Sequence, residues 1–211
     1  MVIRVVTLKD RSLLEMHGKL LEAYYPMLHT ASYCIEDQPR GVCDRETKAM
    51  AVPKIIALAK QHLHADAIVI SCCDDPAVEE LKKELSVPVI GAGSAVCAAA
   101  RCVGKRAGII GITAYIPEPY QRILGDDLID LGRPDGVSCT LDLMTDAGRE
   151  SVLRKAQELK DSGADCIALA CTGMSTIGIS RDIEKRCGIP VVDPVMAEGL
   201  FAYYACLRKE Q

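Results

Sequence analysis

The stretch ADAIVISCCDDP (65–76) returns as ADCIALACTGMS (164–175), and its neighbours return with it. ELSVPVIGAG (84–93) is echoed by RCGIPVVDPV (186–195), and VIRVVTL (2–8) by RAGIIGI (106–112). Cys171 follows Cys72 by 99 positions, Asp165 follows Asp66 by 99, and Pro190 follows Pro88 by 102. Similar elements in the same order and at the same spacing predict two lobes of one design. The expected division is 1–98 plus 196–211 for the first lobe and 99–195 for the second. No low-complexity linker separates them, which predicts lobes that pack closely.

Within each half, apolar runs of strand length alternate with helical periodicity. Strand candidates are 2–8, 30–35, 66–72, 87–93, 106–112, 137–143, 165–171 and 189–193. Several are continuously apolar and rich in Val and Ile, as in parallel strands covered on both faces. Leu13, Met16, Leu20 and Tyr24 mark one helix face; Val152, Ala156 and Leu159 mark another, stopped at Ser162-Gly163. Asp75-Pro76 reads as N-cap and first residue of a helix carrying Leu81 and Leu85. Pro53 within the 44–63 pattern predicts a kink or a later start. The alternation, with the repeat, gives the fold class: α/β, two pseudo-symmetric lobes, each a four-stranded parallel sheet flanked by helices; lobes that face each other about a pseudo-two-fold axis would put the active site in the cleft between them.

Composition removes several function classes. The net charge is −4, and the chain has no Trp and one Phe. No basic field invites nucleic acid or an anionic membrane, and aromatic base-stacking platforms are scarce. No stretch approaches a membrane span, and MVIRVVTLKDRSLL has no signal-peptide character, so a cytoplasmic protein is expected. Eleven cysteines, an odd number lying mostly in apolar runs, argue against a disulfide framework. No Cys-x-x-Cys or paired Cys/His spacing predicts a metal site. Cys34, Cys97, Cys102, Cys139, Cys166, Cys187 and Cys206 read as structural. GAGSAV (91–96) lacks the third glycine of a dinucleotide loop and reads as a strand-to-helix turn. His62 and His64 read as exposed, and no Ser-His-Asp set or Walker-type loop is present.

Cys72 and Cys171 therefore stand out, each closing the third strand of its half. Ligands of open parallel sheets bind beyond the carboxyl ends of the strands. Two thiols facing each other across a cleft suit proton removal from one face of a carbon acid and proton return to the other. A helix after Pro76 would favour a thiolate at Cys72. After Cys171, Thr172, Ser175 and backbone N–H groups of CTGMST would serve the same purpose, or hold a substrate oxygen. Asp75 is assigned to the helix cap, and Asp74 to a loop acid that is either solvated or a substrate contact. Cys73 reads as a loop thiol beside the site. Arg40 and Arg45 are loop cations able to bind a carboxylate.

ISCCDDPAVEEL with VPVIGAGSA, and DCIALACTGM with GIPVVDPV, resemble the aspartate/glutamate/hydantoin racemase superfamily over nearly the whole chain. The similarity is closest to the hydantoin racemase branch, whose motifs read Cys-Phe-Gly-Asp-Pro and Gly-Cys-Ala-Gly-Met. Matching through Asp75-Pro76 puts Cys72, not Cys73, at the catalytic position, and the second motif puts Cys171 there. Thr113 resembles the substrate-loop threonine of the second lobe, and 38–46, with Arg40, the loop that covers the substrate. Thr7 opens Thr-Leu-Lys-Asp where the branch carries an Asn-Pro-Asn type loop. Thr7, Cys73, Asp74, Thr113, Thr172, Gly173 and Arg40 are the implied substrate contacts. The resemblance implies a cofactor-independent racemase without a metal, acting on an amino acid or hydantoin-type small molecule with an acidic C–H stereocentre, and a homo-oligomer. Decarboxylation or cis–trans isomerisation on the same scaffold, and non-catalytic ligand binding, are the alternatives.

Overall fold

In the computed structural model, residues 1–208 are described, and eight short strands alternate with helices among them. The described residues form two compact units, 1–92 with 195–208 and 93–194. The first contains β1 (Val2–Arg4), α1 (Arg11–Tyr24), β2 (Ser32–Cys34), α2 (Arg45–Lys60), β3 (Ile68–Ser71), α3 (Val78–Glu84) and β4 (Val89–Gly91). The second contains β5 (Ala107–Gly111), preceded by α4 (Ala92–Val103), then α5 (Glu118–Leu124) and β6 (Leu128–Ile129). It continues through α6 (Asp146–Asp161), β7 (Cys166–Ala170), α7 (Gly173–Thr176), α8 (Ser180–Cys187) and β8 (Val191–Val192). The last helix, α9 (Pro194–Leu207), returns the chain to the first unit.

The sheets are parallel and ordered β2-β1-β3-β4 and β6-β5-β7-β8, the same topology twice. In each, successive connections run to opposite sides of the first strand. The switch point thus lies between β1 and β3 in one unit, and between β5 and β7 in the other. Ile3, Ile68 and Ile70 pack with Ile55, Ala59 and Leu81 of the covering helices. Ile110, Ile167 and Leu169 pack with Val152, Ala156 and Leu159 of α6. These are the continuous apolar strands the sequence predicts, buried between layers.

Several expectations are corrected. Residues 137–143 are not a strand. The Ser138 and Cys139 amides donate to the Asp142 carboxylate at 2.7 and 3.0 Å, gathering the chain into a turn and a 3-10 helix at Asp142–Met144. The fourth strand of that sheet is instead β6, whose Leu128 pairs with Ala107. Asp75 is not a helix cap: α3 starts at Val78, behind Ala77 at φ +64°, and no side chain caps it. The buried face of α1 is His17, Gly18 and Leu21, one position out of phase with Leu13, Met16, Leu20 and Tyr24. Cys102 is exposed. α2 runs unbroken through Pro53 from Arg45, with no later start. GAGSAV is a strand-to-helix turn, and α6 ends at Ser162 with Gly163 at φ +94°. His64 is exposed, whereas His62 lies half-buried against Tyr33 with ring centroids 4.1 Å apart. Among the described residues no helix is long and apolar enough to cross a membrane.

A buried polar group lies under the end of β3. Ser71 donates to Glu198 Oε1 at 2.7 Å and lies 2.8 Å from His17 Nδ1. Its single proton goes to the carboxylate, so Nδ1–H of His17 donates to Ser71 Oγ. Serine, not histidine, is the middle member, so this is not the wiring of a hydrolase triad. Burial, and then the Arg4 charge, push His17 well below the usual 6.5. His17 is neutral in the fold but takes a proton in the unfolded chain below about 6.5. Its contribution is fully present above that pH and is lost as pH falls below it. Urea midpoints between pH 5 and 8 should decline on the acid side, and His17→Gln should flatten that part of the profile. An unchanged slope in the variant would rule out this linkage.

Candidate active site

Both thiols singled out by the repeat occupy the first position after the third strand of their unit. Cys72 follows Ser71 of β3, and Cys171 follows Ala170 of β7. Each is therefore at the carboxyl edge, beside its sheet's switch point. Their surroundings differ.

Cys72 is half-buried in a tight turn, its amide donating to the Ile70 carbonyl at 2.9 Å and its carbonyl accepting from Asp75 N–H at 3.1 Å. Asp75 and Ala77 in this turn hold φ of +47° and +64°. Left-handed backbone at a non-glycine residue costs roughly 1–2 kcal/mol, and such strain collects near functional sites. Gly91, at the end of β4, leaves room for the Asp75 carboxyl group, which would have to shift if a Cβ were added there. Cys73 is buried. Asp74 is not solvated: it is 4% exposed, and Lys48 of α2 donates to its Oδ1 at 2.8 Å and its carbonyl at 2.9 Å.

Thr7 lies after β1 and is tied to the loop after β2. Its hydroxyl donates to the Ile35 carbonyl at 2.9 Å and accepts from the Gln38 amide at 2.7 Å. Gln38 is buried and extends this network, its side-chain amide donating to the carbonyls of Gly41 at 3.0 Å and Thr47 at 2.8 Å. Asp44 and Thr47 close a capping box at the start of α2. Arg40, in this loop, is exposed, as is Arg45.

In the second unit, Cys171 is buried and Thr140 Oγ1 lies 3.9 Å from its sulfur. Burial pushes the thiol up, while hydrogen bonds from the Gly173 N–H, the Thr140 hydroxyl and the Met174 N–H pull it back. Cys171 therefore rests as a thiol, with donors in place for the charge it carries once deprotonated. Gly173 is needed for close approach: a Cβ there would strike the Thr140 methyl and reach within 3.4 Å of Cys171 Sγ. Thr172 precedes α7, and behind it Asp193 accepts from Ser175 and Ser180, each at 2.8 Å. Thr113 follows β5, next to the Gly111–Ala170 pair in the ladder, and bonds the Tyr115 carbonyl at 2.6 Å. A cavity of about 260 Å³ opens there, lined by Thr113, Tyr115, Ile116, Asp130 and Arg133 among others. Cys166 is unsuited to ionisation, pushed up to about 11 by burial and the adjacent Asp165 charge.

The contacts of Lys48, Gln38 and Thr140 carry no sequence signal, although Gln38 opens the 38–46 loop singled out above. Lys48 and Gln38 bond to segments distant in sequence, Asp74 and Thr7, and Thr140 lies in 137–143, which alternates as a strand does. Among the described residues no group of three or more His, Cys, Asp or Glu side chains is placed to hold a metal ion.

Residues 14–198 match the sequence model of the Asp/Glu/hydantoin racemase family. A hydantoin racemase of Rhizobium meliloti is 29% identical over 181 residues, covering 80% of this chain and 73% of that protein. The solved structure of allantoin racemase from Klebsiella pneumoniae superposes with a TM-score of 0.81 at 22% identity, over 99% of this chain and 87% of that one. A glutamate racemase from Thermus thermophilus gives 0.75 at 19% identity, over 99% and 80%. The structural likenesses establish the fold.

Proposed function

Because the chain belongs to the Asp/Glu/hydantoin racemase family, an isomerase family, we propose that it racemises an amino acid or hydantoin-type substrate by two-base proton transfer between Cys72 and Cys171. The observation that carries this reading is the equivalence of the two thiols. Each is the first residue beyond the third strand of an identically ordered sheet.

In the proposed reaction one thiolate removes the proton from the stereocentre, leaving an enolate. The other thiol protonates the opposite face, and the roles exchange for the other hand. Atoms and charge balance with the two thiols alone, so no cofactor or metal is invoked. Cys171, held as a thiol by burial, is the resting acid, which assigns the first abstraction to Cys72. The Gly173 and Met174 amides then carry the charge left on Cys171. The relative named hydantoin racemase supports a 5-substituted hydantoin as substrate ahead of a free amino acid. Thr7, Arg40, Cys73, Asp74, Thr113, Thr172 and Gly173 are the proposed residues around it.

Single enantiomers of 5-substituted hydantoins, allantoin, aspartate and glutamate in D2O test the reading. Optical rotation should decay while deuterium enters at the stereocentre, fastest for a hydantoin. Release of CO2, double-bond isomerisation, or binding without exchange would each replace racemisation with one of the other activities.

A further inference from the structure

The Lys48–Asp74 contact differs from the protein's surface ion pairs. Pairs such as Lys60–Glu84 and Arg122–Glu118 join exposed side chains, and such pairs contribute little. Asp74 is buried, and one ammonium holds both its carboxylate and its carbonyl, two residues after Cys72. Lys48 is itself held in place. It lies in the first turn of α2, where Thr47 accepts from buried Gln38 and closes the capping box with Asp44. Gln38 in turn is bonded to Thr7. One hydrogen-bonded path therefore joins the loops after β1 and β2 to the turn that carries Cys72.

We propose that Lys48 is a positioning residue for Cys72, acting through Asp74. It fixes the strained turn and supplies the cation that offsets a buried carboxylate beside the thiol. This rests on the reading of Cys72 as a catalytic base. Charged and titratable groups surround the segment from several elements: Asp74 and Asp75 in the turn, Lys48 on α2, and, around Ser71, Glu198 on α9, the neutral His17 on α1 and Arg4 on β1. Without Lys48 the acidic charge nearest in sequence to the thiol loses its cation, which disfavours the thiolate. The buried Asp74 also loses the donor that orders its backbone.

The test is alkylation of the full chain by iodoacetamide at neutral pH, with Cys72 and Cys171 quantified separately by peptide mapping. Cys171, in the other unit, is the internal reference. In Lys48→Met the Cys72 to Cys171 rate ratio should fall about tenfold, the equivalent of one pKa unit, with an unchanged circular dichroism spectrum. Lys48→Arg should restore it to within about threefold, because the guanidinium keeps both charge and donors. If Lys48→Met fails to fold, Lys48→Gln keeps a donor, lacks the charge, and should show the same fall. A ratio unchanged in the neutral variants, or one that falls equally in Lys48→Arg, overturns the proposal. Cys72→Ser separates this failure from failure of the underlying reading. If Cys72→Ser racemises a 5-substituted hydantoin at the wild-type rate, Cys72 is not a base and the positioning role falls with it. If it is inactive while Lys48→Met keeps the wild-type ratio, only the role of Lys48 is lost.

Discussion

Serine at Cys72 or at Cys171 is expected to lower racemisation by roughly 100- to 10,000-fold, the range typical of losing a positioned general acid or base. Each variant should retain the wild-type circular dichroism spectrum, since a serine differs by one atom. Cys73→Ser should cost far less activity, because Cys73 is buried and has no counterpart after β7, whereas Cys72 is half-buried and stands where Cys171 does. Iodoacetamide should modify Cys72 before Cys171 in the wild type, because burial holds Cys171 as a thiol. Steady-state polarimetry on single enantiomers, with peptide mapping of the alkylated protein, reads all three. Full activity in either catalytic-site variant would remove that thiol from the mechanism.

The second large effect is expected at Gly173. A methyl group there collides with the Thr140 methyl, while Cys171 Sγ and Leu143 Cδ1, both 3.4 Å away, are at ordinary contact. Overpacking of this kind costs typically 1–3 kcal/mol. Gly173→Ala should lower the melting temperature by several degrees and reduce activity at least about tenfold, by displacing Thr140, whose hydroxyl lies 3.9 Å from Cys171 Sγ. Gly111→Ala is the contrast on the same sheet edge. Its new methyl would meet only Ala170, at 3.4 Å from Cβ and 3.8 Å from the carbonyl oxygen, so a smaller loss of stability is expected. Equal stability and activity in Gly173→Ala and wild type would show that the 140 loop yields freely and does not hold Cys171.

The duplicated order of elements was legible because it rests on continuous apolar strands and on turns at Gly163 and Gly91. Burial and backbone geometry impose those features on the sequence directly. The position of both cysteines followed, since a thiol one residue past a buried strand is fixed by the strand itself. Residues 137–143 were misread because Val137, Cys139, Leu141 and Leu143 alternate as a strand does. The carboxylate of Asp142 gathers the Ser138 and Cys139 amides, and a local hydrogen bond prevails over the pattern. β6 has two residues, too few for any period to show. The start of α3 was misplaced because Asp75-Pro76 fits a cap, whereas the turn after Cys72 takes two left-handed residues before the helix begins. Lys48 gave no signal at all: its partner is 26 residues away, and only the packing of α2 against the β3 edge brings them together.

The central claim is that two thiols act on opposite faces of one carbon. It is tested most directly by following deuterium uptake in D2O for each enantiomer separately, with Cys72→Ser and Cys171→Ser. The account predicts complementary behaviour. Each variant still exchanges the proton of one hand without inverting it, and the hand that exchanges is opposite in the two variants. Loss of exchange for the same hand in both variants, or inversion persisting in either, would contradict it.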